Sequence, residues 1–176
     1  FNYLTDSLIT PYFVQGFGVL VSTGLQFGAV NSNESTKGTW SSQAVLMYKI
    51  LPRMLLGISV GYDQYDVFNA APVSFYYQAD IAKGPGGFFG YSSIGISKMW
   101  YNGNGEINYS DVSGGMLLQV GLGHAWHLKN TELITTLGWK RQKVDSSNDR
   151  FWDWGGNEFV VGRSINRIEA KIGIGF

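Results

Sequence analysis

Apolar residues alternate with small or polar ones, by twos, in eight separate stretches of this chain, and no other feature of the sequence restricts the fold as tightly. In the first stretch Phe13, Phe17, Val19, Val21, Leu25 and Phe27 share one parity, with Gln15 and Thr23 among them. Gly16, Gly18, Ser22, Gly24 and Gln26 hold the other. A period of two puts all the apolar side chains on one face of a β-strand. The pattern returns in Trp40, Ala44, Leu46, Tyr48, Ile50; in Met54, Leu56, Ile58, Val60, Tyr62; and in Val73, Phe75, Tyr77, Ala79, Ile81. A noisier fifth stretch runs roughly from 88 to 101. The sixth carries Met116, Leu118, Val120, Leu122 and Trp126, the seventh Leu133, Thr135, Leu137 and Trp139, and the eighth spans Arg167 to Phe176. No amphipathic helix competes for these segments.

The joints between the strands alternate as well. "LPR", "KGPGG" and "KN" are tight-turn sequences, whereas "NSNESTKGT", "DVFNAA", "YNGNGEINYSDVSGG" and "DSSNDRFWDWGGN" are mostly longer, polar and glycine-rich. Eight antiparallel strands joined in this way form an up-and-down meander with turns at one end and loops at the other. Both ends of the meander fall on the turn side, so it can close on itself as an all-β barrel.

Which way the apolar face points is decided by what lies opposite it. The second face is mainly Gly, Ser, Gln and Tyr with a few charges, a poor surface for water and a suitable one for a cramped polar interior. Charged residues are only 15% of the chain against about 25% in soluble domains, while aromatics reach 15%. The apolar face is therefore expected to point outward into lipid. A lipocalin- or avidin-like soluble barrel is the alternative, supported by the "GTW" triplet at Gly38 to Trp40, but that triplet follows a long apolar strand instead of opening the first one. No stretch approaches the ~20 apolar residues of a transmembrane helix, and no basic-then-apolar leader is present, as in a mature or trimmed form. Aromatic residues add a further sign. Tyr48, Tyr77 and Trp126 fall near the turn end and Trp40, Tyr62, Trp100 and Trp139 near the loop end, two bands matching two membrane interfaces. High strand propensity of aromatics is the plainer alternative, but several of these lie at strand ends on the lipid parity, which favours the two bands.

The chain thus resembles the small outer-membrane β-barrels of Gram-negative bacteria, the OmpA/OmpX-like class, over nearly its whole length. The motif-like element is the ending, where Ile168, Ala170, Ile172 and Ile174 alternate before Phe176. In that class such an ending looks like the signal read by the barrel assembly machinery, which implies Ile172, Ile174 and Phe176 as assembly residues. The resemblance implies an eight-stranded antiparallel transmembrane barrel over residues 11–176, set in the outer membrane with loops extracellular and both termini periplasmic. Residues 1–10 form an N-terminal periplasmic segment without an assigned role.

Net formal charge is +0 and cysteine is absent, which leaves no global field for nucleic acid and no thiol chemistry. The lumen parity collects Lys49, Asp63, Asp80, Glu132, Lys140, Arg167, Glu169 and Lys171, equal numbers of each sign. Isolated charges in a narrow barrel are costly, so a balanced set predicts paired networks that plug it. Lys49, Asp80 and Glu132 should lie near the turn-end mouth, Glu169 and Lys171 deeper, Asp63 and Lys140 near the loops. Glycines on the lumen wall leave room for cavities, and a narrow ion or small-solute channel using the same charges is the alternative. A lipid A-modifying enzyme is a third reading. It needs a nucleophile beside a base, and the two histidines, His124 on the lipid parity and His127 on the lumen parity, both fall at the turn end. No carboxylate and histidine cluster suggests a metal, and no cofactor is expected.

The loops offer binding. Tyr109 and the Phe151, Trp152 and Trp154 group stand among charges and glycines, suited to glycans or a protein partner in a membrane complex, or equally to a loop cap. Lys98, Arg141 and Lys143 lie near the loop end, where they suit lipopolysaccharide phosphates or ordinary snorkelling. Expected partners are outer-membrane lipid and lipopolysaccharide, and the assembly machinery during biogenesis.

Overall fold

The computed structural model describes residues 16–28, 37–51, 53–65, 68–81, 87–102, 111–128, 131–147 and 160–176. They form eight strands: β1 (Phe17–Gly28), β2 (Lys37–Leu51), β3 (Met54–Gln64), β4 (Phe68–Asp80), β5 (Gly87–Tyr101), β6 (Asp111–His127), β7 (Glu132–Ser147) and β8 (Val160–Gly175). Each pairs antiparallel with its sequence neighbours, and β8 returns to β1, so the sheet is a closed barrel. Closure runs from Leu20 opposite Gly175 to Phe27 opposite Ile168. It is extended by two backbone bonds, from Val19 N to Phe176 O (3.0 Å) and from Phe176 N to Val19 O (2.9 Å). No edge remains among these strands to template pairing with another chain.

The sequence alternation marks the strands where they have one apolar face, and the ladders continue beyond it. β2 starts at Lys37 instead of near Trp40, β6 at Asp111 instead of Met116, and β8 at Val160 instead of near Arg167, while β7 runs on to Ser147. In these extensions neither face has to meet hydrocarbon, so side-chain polarity stops alternating while the backbone still pairs. The β3–β4 joint is also shorter than "DVFNAA" suggested. Tyr65 N donates to Phe68 O at 2.7 Å, and Phe68 already belongs to β4.

Three irregularities interrupt the ladders. Beside the tight turn the β2–β3 register shifts between Lys49 and Leu51. Pro72 stands inside β4, where it has no N–H to donate, and regular pairing with β3 stops after Val60–Val73 and resumes at Asp63–Ala70. In β6 the register shifts between Gly114 and Leu117, so Gly115 and Met116 together oppose Lys143, a β-bulge.

The apolar parity faces outward on every strand. Phe75 is 71% exposed, Ile96 70% and Leu137 61%, within a belt that also includes Val21, Leu46, Ile58, Leu122 and Ile172. Covering each such side chain is worth roughly 1.5–3 kcal/mol, and a continuous belt of them is tolerated only against a bilayer. Trp40, Tyr62, Trp100 and Trp139 ring the loop end of the belt; Tyr48 and Trp126 lie at the turn end. Tyr62 and Trp100 approach to 6.2 Å between ring centroids.

Candidate functional site

The inward parity converges on the barrel axis, and its residues are stacked in layers that mix apolar and charged side chains. Closest to the turn end, His127 Nδ1 lies 2.9 Å from Glu132 Oε1. Lys49 and Asp80 are half-buried at the same mouth. His127 is exposed at the mouth, on the lumen parity it shares with the buried Glu132 opposite it. His124 points outward between Phe88, at 4.5 Å, and Trp126, at 4.3 Å.

Above the mouth the interior is apolar. Leu20, Val45, Met47, Leu55, Tyr76, Phe89, Tyr91, Ala125 and Ile134 form one buried cluster. Sequence reasoning missed this layer because it followed the charges and treated the inward parity as polar throughout. The available signal was large apolar residues, Phe89 above all, on that parity. Three of the lumen glycines, Gly121, Gly123 and Gly138, make room for these rings. A Cβ on Gly123 would strike the Phe89 ring, one on Gly138 the Tyr91 hydroxyl, and one on Gly121 would come within 2.7 Å of Tyr91 Cε1. An aromatic ring laid over glycine fills the wall that the missing side chain leaves bare.

The charged layer lies deeper. Lys171 Nζ is 3.0 Å from Glu169 Oε2 and also donates to Gln43 Oε1 at 3.2 Å. Glu169 Oε1 accepts from Gln119 Nε2 and from the Tyr91 hydroxyl, the latter at 3.4 Å. Gln119 accepts in turn from Ser93 at 3.0 Å. Glu169 is 0% exposed, a position a carboxylate occupies only when cations and donors surround it. A second pair joins Lys140 to Asp63 Oδ2 across the interior, while Asp63 Oδ1 accepts from Ser41 at 2.6 Å. Arg167 lies with its guanidinium 5.5 Å from the centre of the Tyr65 ring, within cation–π range. Tyr65 donates to Gln142 Oε1 at 2.6 Å, and Gln142 donates to Ser97.

At the loop end a second apolar group closes over these charges. Tyr65, Phe68, Ala70, Met99, Val144 and Ile165 are buried together, with Tyr101 and Val112 against them. Between the layers, beside Pro72, a polar cavity lined by Ser41, Ser59, Asp63, Ser74, Lys140 and Lys171 has about 10 Å³ open to the centre of a water molecule. That is room for about one water.

Of the eight inward charges, then, Asp63 meets Lys140 and Glu169 meets Lys171. Glu132 meets His127, and Arg167 lies over the Tyr65 ring. The neutral partners Gln43, Gln119, Gln142, Ser41 and Tyr65 complete the network and escaped the charge-based reading. Ile172 and Ile174 face outward on β8 opposite Thr23 and Val21, with Phe176 exposed beyond them. Tyr109, Phe151, Trp152 and Trp154, and the segment 1–10, lie outside the described residues.

No protein-family model matches the sequence, and no curated protein matches it. Solved structures do. Neisserial surface protein A superposes with a TM-score of 0.60 at 11% identity, over 91% of this chain and 96% of that one. The outer membrane protein AlkL, determined in DMPC lipid bilayers, superposes with a TM-score of 0.50 at 14% identity, over 100% of this chain and 95% of that one. The outward apolar belt, the closed eight-strand meander and these superpositions agree: the chain has the fold of the small outer-membrane β-barrels.

Proposed function

We propose that this protein is a bacterial outer-membrane component whose lumen is plugged and which acts through its outer surfaces, in a structural, adhesive or complex-forming role. Its loops face the cell exterior, and its tight turns and both ends of the meander face the periplasm. The observation that carries the plug is the position of the Glu169–Lys171 and Asp63–Lys140 pairs between two buried apolar groups. A solute following the axis must displace Phe89 and Tyr91 and part both ion pairs, and eight strands leave only enough width for side chains to fill. An adhesive or complex-forming role falls to the loops, with Tyr109, Phe151, Trp152 and Trp154 as contact residues. During biogenesis the assembly machinery reads Ile172, Ile174 and Phe176.

A narrow channel is the second reading, favoured by the water-sized polar cavity beside Lys140 and Lys171. Planar-bilayer recording separates the two. A plugged barrel gives no discrete openings, and Phe89→Ala combined with Lys171→Ala creates them. Steady openings of the unmodified protein, with an ion preference altered by Glu169→Gln, would overturn the plug in favour of the channel.

A further inference from the structure

Three cations stand on the outer wall among the described strand residues. Among residues whose side chains are described, Lys98, Arg141 and Lys143 are the only lysines or arginines at outward strand positions, and all three are exposed. They occupy one sector of the wall. Lys98 is on β5; Arg141 and Lys143 are on β7, opposite Asn166 and Ser164 of β8. Between β5 and β7 runs the bulged part of β6. Its two successive residues opposite Lys143 are Gly115, which has no side chain, and Met116, which faces outward. A Cβ at position 115 would sit 3.0 Å from Lys143 Cβ, so the lysine stem lies over a floor kept low by glycine. Re-aiming a neighbouring side chain is what a bulge does. Beside it a cleft of about 250 Å³ is lined by Met116, Leu118, Arg141 and Lys143, two apolar and two cationic walls. Arg141 Nη2 lies 3.5 Å from Ser164 Oγ.

The height of this cleft selects its occupant. Trp139 is the next outward residue below Arg141 on β7, and Trp100 is the next outward residue after Lys98 on β5; both are exposed on the lipid wall. Interfacial tryptophans mark the level of lipid headgroups. Strand spacing puts Lys98 and Lys143 about 10 Å apart and Arg141 about 7 Å from Lys143. That spread suits a guanidinium gripping phosphate oxygens in pairs and two ammonium groups supplying charge. Along β7 the next charged residue is Asp145, where the cationic stretch ends.

We propose that this sector of the outer wall is a binding site for a phosphorylated membrane lipid, its phosphate held by Lys98, Arg141 and Lys143 and its first acyl carbons lying on Met116 and Leu118. The site rests on the reading that the barrel spans a bilayer, so insertion is measured first. The full chain is refolded into phosphatidylcholine vesicles and its heat-dependent gel mobility followed. Failure to insert would defeat the membrane reading itself. The inserted protein is then extracted with detergent and titrated with diphosphorylated lipid A, with its dephosphorylated form and with inorganic phosphate, and bound lipid is counted by native mass spectrometry.

The expected result is one retained diphosphorylated lipid. Affinity should fall about tenfold or more on removing the phosphates, or on combining Lys98→Ala, Arg141→Ala and Lys143→Ala in a barrel that still shows the folded mobility. Arg141→Lys should restore only part of the loss relative to Arg141→Ala, because a point charge replaces a fork. Equal retention by the triple variant would reduce the cluster to ordinary snorkelling and overturn the site. Inorganic phosphate binding as tightly as the lipid, unaffected by Leu118→Gln, would overturn the lipid as its source. If the triple variant does not fold, chemical acetylation of the inserted protein, with Lys98 and Lys143 modification compared with and without lipid A, gives the same decision: protection supports the site and its absence refutes it.

Discussion

Lys140 and Asp63, 77 positions apart in the sequence, form an ion pair inside the barrel, and both are almost wholly buried. Removing one partner strands the other. Lys140→Ala leaves the Asp63 carboxylate with the Ser41 hydroxyl and without its ion-pair partner, and should cost about 3–5 kcal/mol. The double change Lys140→Met, Asp63→Leu should be much milder, because no charge is left without its partner. Urea unfolding in lipid vesicles, followed by tryptophan fluorescence, provides the cycle. A single variant no weaker than the double one would contradict the pairing.

Ring-over-glycine packing predicts an unusual sensitivity of small residues. Gly123→Ala puts a methyl group into the Phe89 ring and should destabilise by about 1–3 kcal/mol through overpacking. Shrinking the ring with Phe89→Leu should recover part of the loss in the double variant, whereas each change alone is harmful. The same unfolding assay reads this coupling, and simple additivity would refute the contact.

Outward positions should respond to charge by depth. Leu137→Arg places a guanidinium in the middle of the apolar belt and should cost about 2–4 kcal/mol, against about 0–1 kcal/mol for Trp139→Arg nearer the loop end. Equal costs at the two sites would show that the belt does not sit across the bilayer as the aromatic rows imply.

The β8–β1 seam separates assembly from stability. Phe176→Ala keeps the two backbone bonds with Val19 and removes only an exposed ring. It should slow assembly into the outer membrane while the finished barrel keeps its unfolding midpoint. Insertion at an unaltered rate in cells would remove Phe176 from the assembly signal, and a lowered midpoint with normal insertion would make it merely structural.

The strand parities, the outward direction of Val60, Leu118 and Ile172, and the inward direction of Asp63, Lys140 and Glu169 were legible in the sequence. A strand's side chains must alternate, and lipid accepts only one kind of side chain on its face. The extensions of β6 to Asp111 and of β8 to Val160 were not legible, since beyond the bilayer nothing forces polarity to alternate. Likewise Lys140 could be assigned to the interior, but its pairing with Asp63 depends on barrel curvature, which brings β3 and β7 face to face across the axis. The seating of Phe89 over Gly123 depends on register between two strands, a relation that no single strand's pattern contains. Local periodicity thus determined which face each residue occupies; closure of the sheet decided which residues meet, because contacts across a lumen arise only when distant strands are held around a common axis.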